Sequence, residues 1–155
     1  MRISDVLRLK WADFQDDRLH YTMGKNAKVG SLKVPEKALP ILKQYRRLGA
    51  IHDLVFPDLE SLPNINDLYE VQRRINQRVK NINEYLKEVA TLAGITKKLT
   101  MHIGRHTFGN ISGDKISLHM LQKLYRHSSI TTTIGYQANF IHKDADEALD
   151  AVVGF

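Results

Sequence analysis

A regular stripe of apolar residues near the middle of the chain is the feature that most restricts its fold. From residue 68 to residue 89 an aliphatic side chain recurs every three or four positions, which is the spacing of one face of an α-helix. The members of this stripe are Leu68, Val71, Ile75, Val79, Ile82, Leu86 and Val89. Because the pattern ends at Gly94 after about three to four heptads, it predicts a long helix packed on a core rather than a coiled coil.

Two short β-prone runs before this helix are typical of a hairpin. Residues 18–23 and 30–34 are joined by a loop that contains Lys25 and Lys28. Pro35 ends the second run. A small antiparallel sheet is therefore expected in the first quarter of the chain.

The remaining elements are predicted to be short helices and loops. Ser4 opens a helix that a turn at residues 11–14 closes, and residues 49–66 form a loop. Residues 36–47 are expected to form a helix with Leu39, Leu42 and Tyr45 facing inward. Further helices are predicted at residues 102–111, 117–125, 130–136 and 143–152. The expected fold class is mainly α with a small antiparallel β-sheet (α+β), in one domain over residues 1–155.

Composition excludes several classes of function. A chain of 155 residues is long enough for one domain with its own core. It contains no cysteine, which excludes disulfides, thiolate metal sites and cysteine nucleophiles. No apolar run approaches the length of about 20 residues that a membrane span needs, and the first ten residues are not a secretory signal. A cytoplasmic protein without membrane contact is expected.

The positive charge of the chain is concentrated in two blocks. The net charge is +6, which by itself is weak evidence for a polyanionic partner. Residues 1–48 carry eleven Lys or Arg against five Asp or Glu, and residues 97–127 carry six against one. Residues 49–72 carry no base and five acids. If both basic blocks line one surface, that surface would neutralise phosphates and release counterions, which gives salt-sensitive binding.

Several ionisable side chains are candidates for chemistry, although each also fits an ordinary structural role. His102 and Arg105 stand three residues apart on a predicted helix, so their side chains can converge, although such pairs are most often a solvated polar face. Tyr136 is one of six tyrosines, and a tyrosine is far more often a packing residue than a nucleophile. A loop lysine such as Lys25 usually serves solubility, and an arginine beside the chain start such as Arg2 is usually disordered.

A metal site is not expected. His102 and His106 are four residues apart, a spacing that suits two ligands on one helix. The local pattern contains neither a partner glutamate nor a third ligand. The chain also lacks a nucleotide-binding motif, so no cofactor is expected.

The order and spacing of the candidates carry more information than any one of them. They lie in five blocks: Arg2-Ile3-Ser4-Asp5-Val6-Leu7; Gly24-Lys25, followed by a strand ending in Val34-Pro35; His102-Ile103-Gly104-Arg105-His106-Thr107-Phe108; His127-Ser128-Ser129-Ile130-Thr131-Thr132-Thr133; and Tyr136, nine residues after His127. These blocks resemble, in order, the first-arginine box, the catalytic-lysine hairpin, the His-x-x-Arg box, the last-histidine stretch and the nucleophile of the tyrosine recombinase (phage integrase) family. The resemblance spans nearly the whole chain from Arg2 to Tyr136.

The resemblance implies a DNA transesterification, in which a site-specific recombinase cleaves and rejoins strands through a 3′-phosphotyrosine. Tyr136 would be the nucleophile and His102 its proton acceptor, since a free tyrosine with a pKa of about 10 is mostly protonated at neutral pH. Arg2, Arg105 and His127 would stabilise the charge on the phosphate. Lys25 would protonate the leaving 5′-oxygen, with Lys28 as the alternative. Lys28, Lys123 and Arg126 are expected to contact DNA.

Two departures from the family pattern limit this resemblance. The family usually has Leu-Gly before its last histidine, where this chain has Tyr125-Arg126. Arg126 would add a phosphate contact or reshape the pocket. Family members also usually have about two further helices and a DNA-gripping domain before the first-arginine box. We therefore expect a fragment, truncated at its N-terminus, in which the fold is kept and the activity is in doubt.

The resemblance also implies partners. Family members act as homotetramers on double-stranded DNA, whereas an isolated catalytic domain is expected to bind DNA weakly and to be a monomer. The apolar residues in the segment 143–155 would suit docking on a neighbouring subunit or packing on the same domain, and both interpretations stay open. The target sequence and the biological role, such as integration or excision of a mobile element, are not readable from these residues.

Three rival functions remain. A type IB topoisomerase shares the chemistry but relaxes supercoils as a monomer. The amino-acid sequences of the blocks at residues 105–108 and 127–133 favour the recombinase. A DNA-binding module without catalysis would tolerate changes in the pocket, yet all six candidate residues are present. A helical domain with a basic surface and no DNA role would not account for five ordered blocks.

Overall fold

The computed structural model describes residues 1–22, 29–113, 115–136 and 152. The chain divides into two compact units, Met1–Met101 and His102–Phe155. The predicted helix at residues 143–152 and the loop lysines Lys25 and Lys28 lie outside the described residues, apart from Val152.

A three-stranded antiparallel sheet forms one part of the first unit. Its strands are β1 (Phe14–Gln15), β2 (Arg18–Thr22) and β3 (Val29–Lys33), in the order β1-β2-β3. Leu19 pairs with Leu32 and Tyr21 pairs with Gly30 across the β2–β3 ladder. Alternate residues of β2 are buried, as expected for a sheet with one face on a core. The hairpin predicted from the sequence is confirmed, with one strand more than expected.

The helices of the first unit surround a core in two clusters. They are α1 (Ile3–Val6), α2 (Leu39–Gln44) and α3 (Leu68–Leu92), with 3₁₀ turns at Trp11–Asp13, Glu36–Ala38 and Pro57–Leu59. One cluster, under α1 and the first half of α3, comprises Leu7, Leu54, Leu59, Leu62, Val71 and Ile75. The other, under the sheet, comprises Leu9, Leu19, Tyr21, Val34 and Val55. Leu54 and Val55 are consecutive, so one short segment contributes to both clusters.

The long helix α3 begins where a side-chain cap satisfies its first amides. Asp67 accepts hydrogen bonds from the backbone N–H groups of Tyr69 and Glu70 at 3.0 and 3.1 Å. A carboxylate at this position also interacts favourably with the helix dipole. The helix predicted from the apolar stripe is confirmed.

The burial of that stripe is more limited than expected. Val71 and Ile75 are fully buried, but Leu68 is 71% exposed and Val89 is 54% exposed. The cluster under α1 reaches only the first half of α3, with Val79 as its last partly buried contact. The inward position predicted for Leu68 and Val89 was therefore wrong.

Two local predictions in the first unit also need correction. Residues 36–47 do not form one helix: a 3₁₀ turn precedes α2, which ends at Gln44. Because a 3₁₀ turn has about 3.0 rather than 3.6 residues per turn, it changes which side chains of the following helix face the core. Leu39 is consequently 40% exposed, whereas Leu42 and Tyr45 pack on the core as predicted. The turn expected at residues 11–14 does not close α1, which already ends at Val6; it is a separate 3₁₀ turn that leads directly into β1.

The second unit consists of three helices in its described part. They are α4 (Met101–Ile111), whose first residue belongs to the first unit, α5 (Leu118–Tyr125) and α6 (Ile130–Ile134). Ser117 caps α5 by accepting from Met120 N–H at 3.2 Å, and Ser129 caps α6 by accepting from Thr131 N–H at 3.2 Å. Leu121 and Thr133 are fully buried between the helices.

The fold class is thus mainly helical with a small antiparallel sheet, as the sequence predicted. None of the helices in the described part of the chain has the length and apolar character needed to cross a membrane.

Candidate active site

Helix α4 presents three site residues along one face. His102, Arg105 and Gly109 are spaced by three and four residues, so they lie one above the other on the same side of the helix. His102 is exposed, whereas Arg105 and Gly109 are buried. The face therefore runs from solvent at His102 into the interior of the second unit at Gly109.

Arg105 is a buried cation with neutral partners. It is 8% exposed, and its Nη2 donates to the carbonyl oxygen of Tyr125 at 3.0 Å and to His127 Nε2 at 3.2 Å. Its Nη1 has no hydrogen-bond partner among the described residues. A guanidinium presents several N–H donors, so Arg105 keeps donor capacity for an anionic ligand.

His127 is fixed in one orientation by two hydrogen bonds. Its Nδ1 lies 3.0 Å from Thr133 Oγ1, and its Nε2 faces Arg105. Because an arginine only donates, His127 Nε2 accepts in this arrangement, and the neutral ring carries its proton on Nδ1. Thr133, which contacts His127 Nδ1, is a fully buried residue of α6.

Tyr136 follows α6 and faces the residues of α4. Its backbone N–H donates to Thr133 O at 2.9 Å, which continues the turn after the helix. Its hydroxyl oxygen lies 3.2 Å from His102 Nε2. Its ring stacks on His106, with centroids 4.4 Å apart and planes inclined by 14°, and lies 5.3 Å from the His127 ring. Tyr136 is half-buried, with its oxygen beside a histidine that solvent reaches.

Gly109 allows Tyr136 to approach α4 closely. A Cβ atom at this position would lie 2.9 Å from Tyr136 Cβ, 3.0 Å from Tyr136 O and 3.2 Å from the Tyr125 hydroxyl oxygen. Non-bonded carbon atoms are normally separated by about 3.5–4.0 Å. The absence of a side chain is therefore what lets the Tyr136 backbone lie against the helix.

Four of the six residues predicted to be catalytic thus lie together in the second unit: His102, Arg105, His127 and Tyr136. Arg2 belongs to the first unit, where it precedes α1 and its backbone N–H donates to Asp5 at 3.3 Å. Its Nη1 also has no hydrogen-bond partner within the described residues. Lys25 lies outside them.

The residues predicted to contact DNA have different surroundings. Lys123 is exposed on α5. Arg126 is half-buried directly after α5, in the left-handed conformation, with φ of 56°. Lys28 is outside the described residues.

Sequence reasoning missed four contributors to this site. Gly109 could have been found from helical spacing, since it continues the face of His102 and Arg105. His106, Tyr125 and Thr133 lie in stretches that the sequence analysis named, but their contacts could not be predicted, because these depend on how α5 and α6 pack on α4. Tyr125 packs against three of the site residues by its ring or its hydroxyl.

The two histidines of α4 lie against each other rather than around a common centre. Their rings are 4.8 Å apart and inclined by 78°. In the described part of the chain, no group of three His, Asp or Glu side chains is arranged to hold a metal ion.

Known proteins are similar to this chain in sequence and in fold. A tyrosine recombinase of Thermosipho africanus (strain TCF52B) is 28% identical over 155 residues, which make up 98% of this chain and 48% of that protein. The chain therefore spans about half the length (48%) of the curated relative that it matches. The model of the phage integrase family matches residues 1–142.

Two crystal structures resemble the chain in fold. The XerA recombinase superposes with a TM-score of 0.61 at 22% identity, over 88% of this chain and 47% of that one. The XerH site-specific recombinase, in a post-cleavage complex with a palindromic difH substrate, superposes with a TM-score of 0.67 at 19% identity, over 97% of this chain and 41% of that one. With the family model matching most of its length, this chain belongs to the phage integrase family of tyrosine recombinases.

Proposed function

We propose that the chain cleaves and rejoins DNA strands as part of a site-specific recombinase, through a 3′-phosphotyrosine formed on Tyr136. The observation that carries this proposal is the 3.2 Å contact between the Tyr136 hydroxyl and His102 Nε2. A phenol beside an imidazole, next to a buried arginine, is an arrangement suited to a nucleophile with its proton acceptor.

In the proposed step the Tyr136 oxygen attacks the phosphorus of a DNA phosphodiester. The bond from Tyr136 Oη to phosphorus forms, and the bond from phosphorus to the 5′-oxygen of the next nucleotide breaks. The phenolic proton passes to His102 Nε2. The phosphodiester is replaced by a phosphotyrosine of similar bond energy, so a 5′-hydroxyl from another strand can reverse the step and rejoin the DNA.

Arg105 and His127 are assigned to the non-bridging phosphate oxygens, where negative charge increases in the transition state. Arg105 Nη1 is buried and has no hydrogen-bond partner among the described residues, so its N–H groups are not committed to another acceptor. His127 Nε2 accepts from Arg105 in this structure, so it donates to phosphate only when the ring is protonated or its tautomer changes. Loss of one such donor from a preorganised site typically costs about 100-fold or more in rate.

The family resemblance supplies the two remaining roles. Arg2 would be the second arginine on the phosphate, and Lys25 the acid that protonates the leaving 5′-oxygen. Lys28 in the same loop is the alternative acid. Arg126, Lys123 and Lys28 are assigned to phosphates outside the cleaved bond, where a basic side chain contributes salt-sensitive affinity.

The substrate in this proposal is double-stranded DNA. XerH is described as bound to its difH substrate, and this chain has basic residues concentrated in two blocks. The proposal also includes the assembly and the setting. The full-length protein would act as a homotetramer on two duplexes, in the cytoplasm where the DNA is, and it would integrate or excise a mobile element.

A covalent capture experiment tests this function without knowledge of the target sequence. The chain is incubated with a pool of duplexes of randomised sequence around a nick a few nucleotides 3′ to the cleavage point. The short 5′-hydroxyl fragment diffuses away, so that a phosphotyrosine accumulates. DNA that stays with the protein in denaturant is sequenced, and the enriched duplex is used in all later assays.

Two variants identify the residue. Tyr136→Phe removes only the phenol oxygen and should form no adduct while still binding DNA, and Tyr85→Phe, at an exposed tyrosine of α3, should react like the unmodified chain. Mass spectrometry should find the nucleotide on the peptide that contains Tyr136. An adduct with Tyr136→Phe would show a different nucleophile, and tight binding without any adduct would favour a non-catalytic DNA-binding module.

A further inference from the structure

Tyr125 contacts Arg105 at both its backbone and its guanidinium group. The Tyr125 hydroxyl donates to the backbone carbonyl of Arg105, and the Tyr125 carbonyl accepts from Arg105 Nη2 at 3.0 Å. The Arg105 guanidinium carbon also lies 4.0 Å from the centre of the Tyr125 ring, within cation–π range. One residue of α5 thus contacts both the main chain and the charged group of an arginine on α4.

The same ring contacts two further site residues. It lies edge-on to the Tyr136 ring, with centroids 5.0 Å apart and planes inclined by 78°, and edge-on to His127 at 5.3 Å and 72°. Edge-to-face packing at these distances is the favourable geometry for aromatic pairs. Tyr125 is only 4% exposed, so water does not compete for these contacts.

This residue stands where the family pattern usually has leucine. A leucine side chain packs by its methyl groups, but it neither donates a hydrogen bond nor attracts a guanidinium. The hydrogen bond from the hydroxyl and the cation–π contact therefore both depend on having tyrosine rather than leucine at position 125.

We propose that Tyr125 is a positioning residue that fixes the plane of the Arg105 guanidinium and the ring of Tyr136 before DNA arrives. This inference rests on the proposed function only for its kinetic readout. Arg105 is the group that contacts the phosphate, and Tyr125 acts through it.

Tyr125 is itself poorly suited to be the nucleophile. Burial raises the pKa of its hydroxyl, and the charge of Arg105 opposes this effect only in part. Its hydroxyl remains a protonated donor at neutral pH, aimed at a backbone carbonyl of α4. Two tyrosines in van der Waals contact thus have different tasks, since the Tyr136 oxygen faces His102.

Two substitutions separate the contribution of the Tyr125 hydroxyl to the reaction rate from that of its ring. Tyr125→Phe keeps the ring and removes the hydrogen bond to Arg105, and we expect adduct formation to slow on the order of 5-fold. Tyr125→Leu removes the ring as well, and we expect a loss on the order of 50-fold. DNA affinity should change little in either variant, because the loss falls on the reaction step. Tyr85→Leu, at the exposed position on α3, is the matched control and should keep the normal rate.

A double-mutant comparison distinguishes positioning from a general loss of packing. If Tyr125 acts through Arg105, Tyr125→Leu should slow the reaction much less when Arg105 is already alanine. Full additivity of the two substitutions, or normal rates for both Tyr125 variants, would overturn the proposal. Urea unfolding of each variant shows whether it folds, and Tyr125→Phe, the smaller change, keeps the test valid if Tyr125→Leu does not.

An NMR measurement tests the inference independently of catalysis. Rotation about the Cζ–Nη bonds of Arg105 should be slow in the unmodified chain and faster in Tyr125→Leu, as seen in the line shapes of its guanidinium ¹⁵N signals. If the chain forms no adduct with any duplex but this difference is observed, the proposed function fails and the positioning role stands. If adducts form but Arg105 rotates equally in both proteins, the positioning role fails alone.

Discussion

The guanidinium of Arg105 is a charge held largely away from solvent. Its hydrogen-bond partners are a carbonyl oxygen and a histidine nitrogen, and no ion pair to it is found among the described residues. A buried charge without a counter-ion is costly, and an anionic ligand relieves that cost. The residue is therefore suited to receive an anionic ligand, and phosphate is the one that we propose. Arg47 also has a buried Nη1 without a hydrogen-bond partner, but it has a carboxylate, Glu60, at 3.6 Å.

Lys25 is the side chain proposed as the general acid. Lys25→Ala should slow adduct formation by about 100-fold on ordinary DNA, because an unprotonated alkoxide leaves poorly. The rate should recover when sulfur replaces the bridging 5′-oxygen, since a thiolate leaves without a proton. Gel assays of adduct formation on the two duplexes measure this rescue.

Lys28→Ala is the matched control, because it removes the same charge from the same predicted loop. It should weaken DNA binding without a rescue by sulfur. The reverse pattern would assign the acid to Lys28, and no rescue in either variant would mean that neither lysine protonates the leaving group.

The individual site residues differ in how readily the sequence revealed them. His102, Arg105, His127 and Tyr136 were predicted because the blocks that contain them resemble, in order and spacing, those of the tyrosine recombinase family. Tyr125 and Thr133 lie in stretches that the sequence analysis named, but no role was predicted for them, because the residue type alone does not show what a side chain contacts. Their importance comes from tertiary contacts between α4, α5 and α6.

The elements show a similar division between local and tertiary information. The length of α3 could be predicted, since both its apolar periodicity and its Asp67 cap are local features. Which parts of its apolar stripe are buried could not, because burial depends on how far the cluster around Leu54 and Leu59 extends along the helix. Likewise, the exposure of Leu39 follows from a 3₁₀ turn that the periodicity did not indicate.

The C-terminal end of α5 offers a stability prediction. Arg126 adopts the left-handed conformation, with φ of 56° and ψ of 39°, at a position where the family usually has glycine. A residue with a Cβ loses about 1 kcal/mol or more in this conformation. We expect Arg126→Gly to be more stable than Arg126→Ala by about 1 kcal/mol, measured as the free energy of unfolding in urea.

The comparison with alanine separates backbone strain from the loss of charge. Both variants lack the guanidinium, so both should bind DNA more weakly and with a salt dependence reduced by the same amount. Equal stability of the glycine and alanine variants would show that the conformation at residue 126 is not strained.

At the scale of the whole chain, fold class and family were predictable because several independent signals agreed. The long helix, the hairpin and the five ordered blocks each indicated the same architecture. The division into units at Met101 and His102 was not predicted. It falls at the start of α4, and residues 95–103 contain no glycine, proline or serine that would mark a boundary in the sequence.

The contact between Tyr136 and His102 has a consequence for any assembly of several copies. The two residues belong to one chain and are 34 positions apart, so the proposed nucleophile and its proposed proton acceptor lie within a single protomer. Cleavage should therefore occur in cis, with each copy cutting the strand that it binds. A mixture of Tyr136→Phe and Arg105→Ala proteins should form no more adduct than the two separately. Recovery of adduct to a tenth or more of the normal rate would mean that copies exchange their tyrosines in trans.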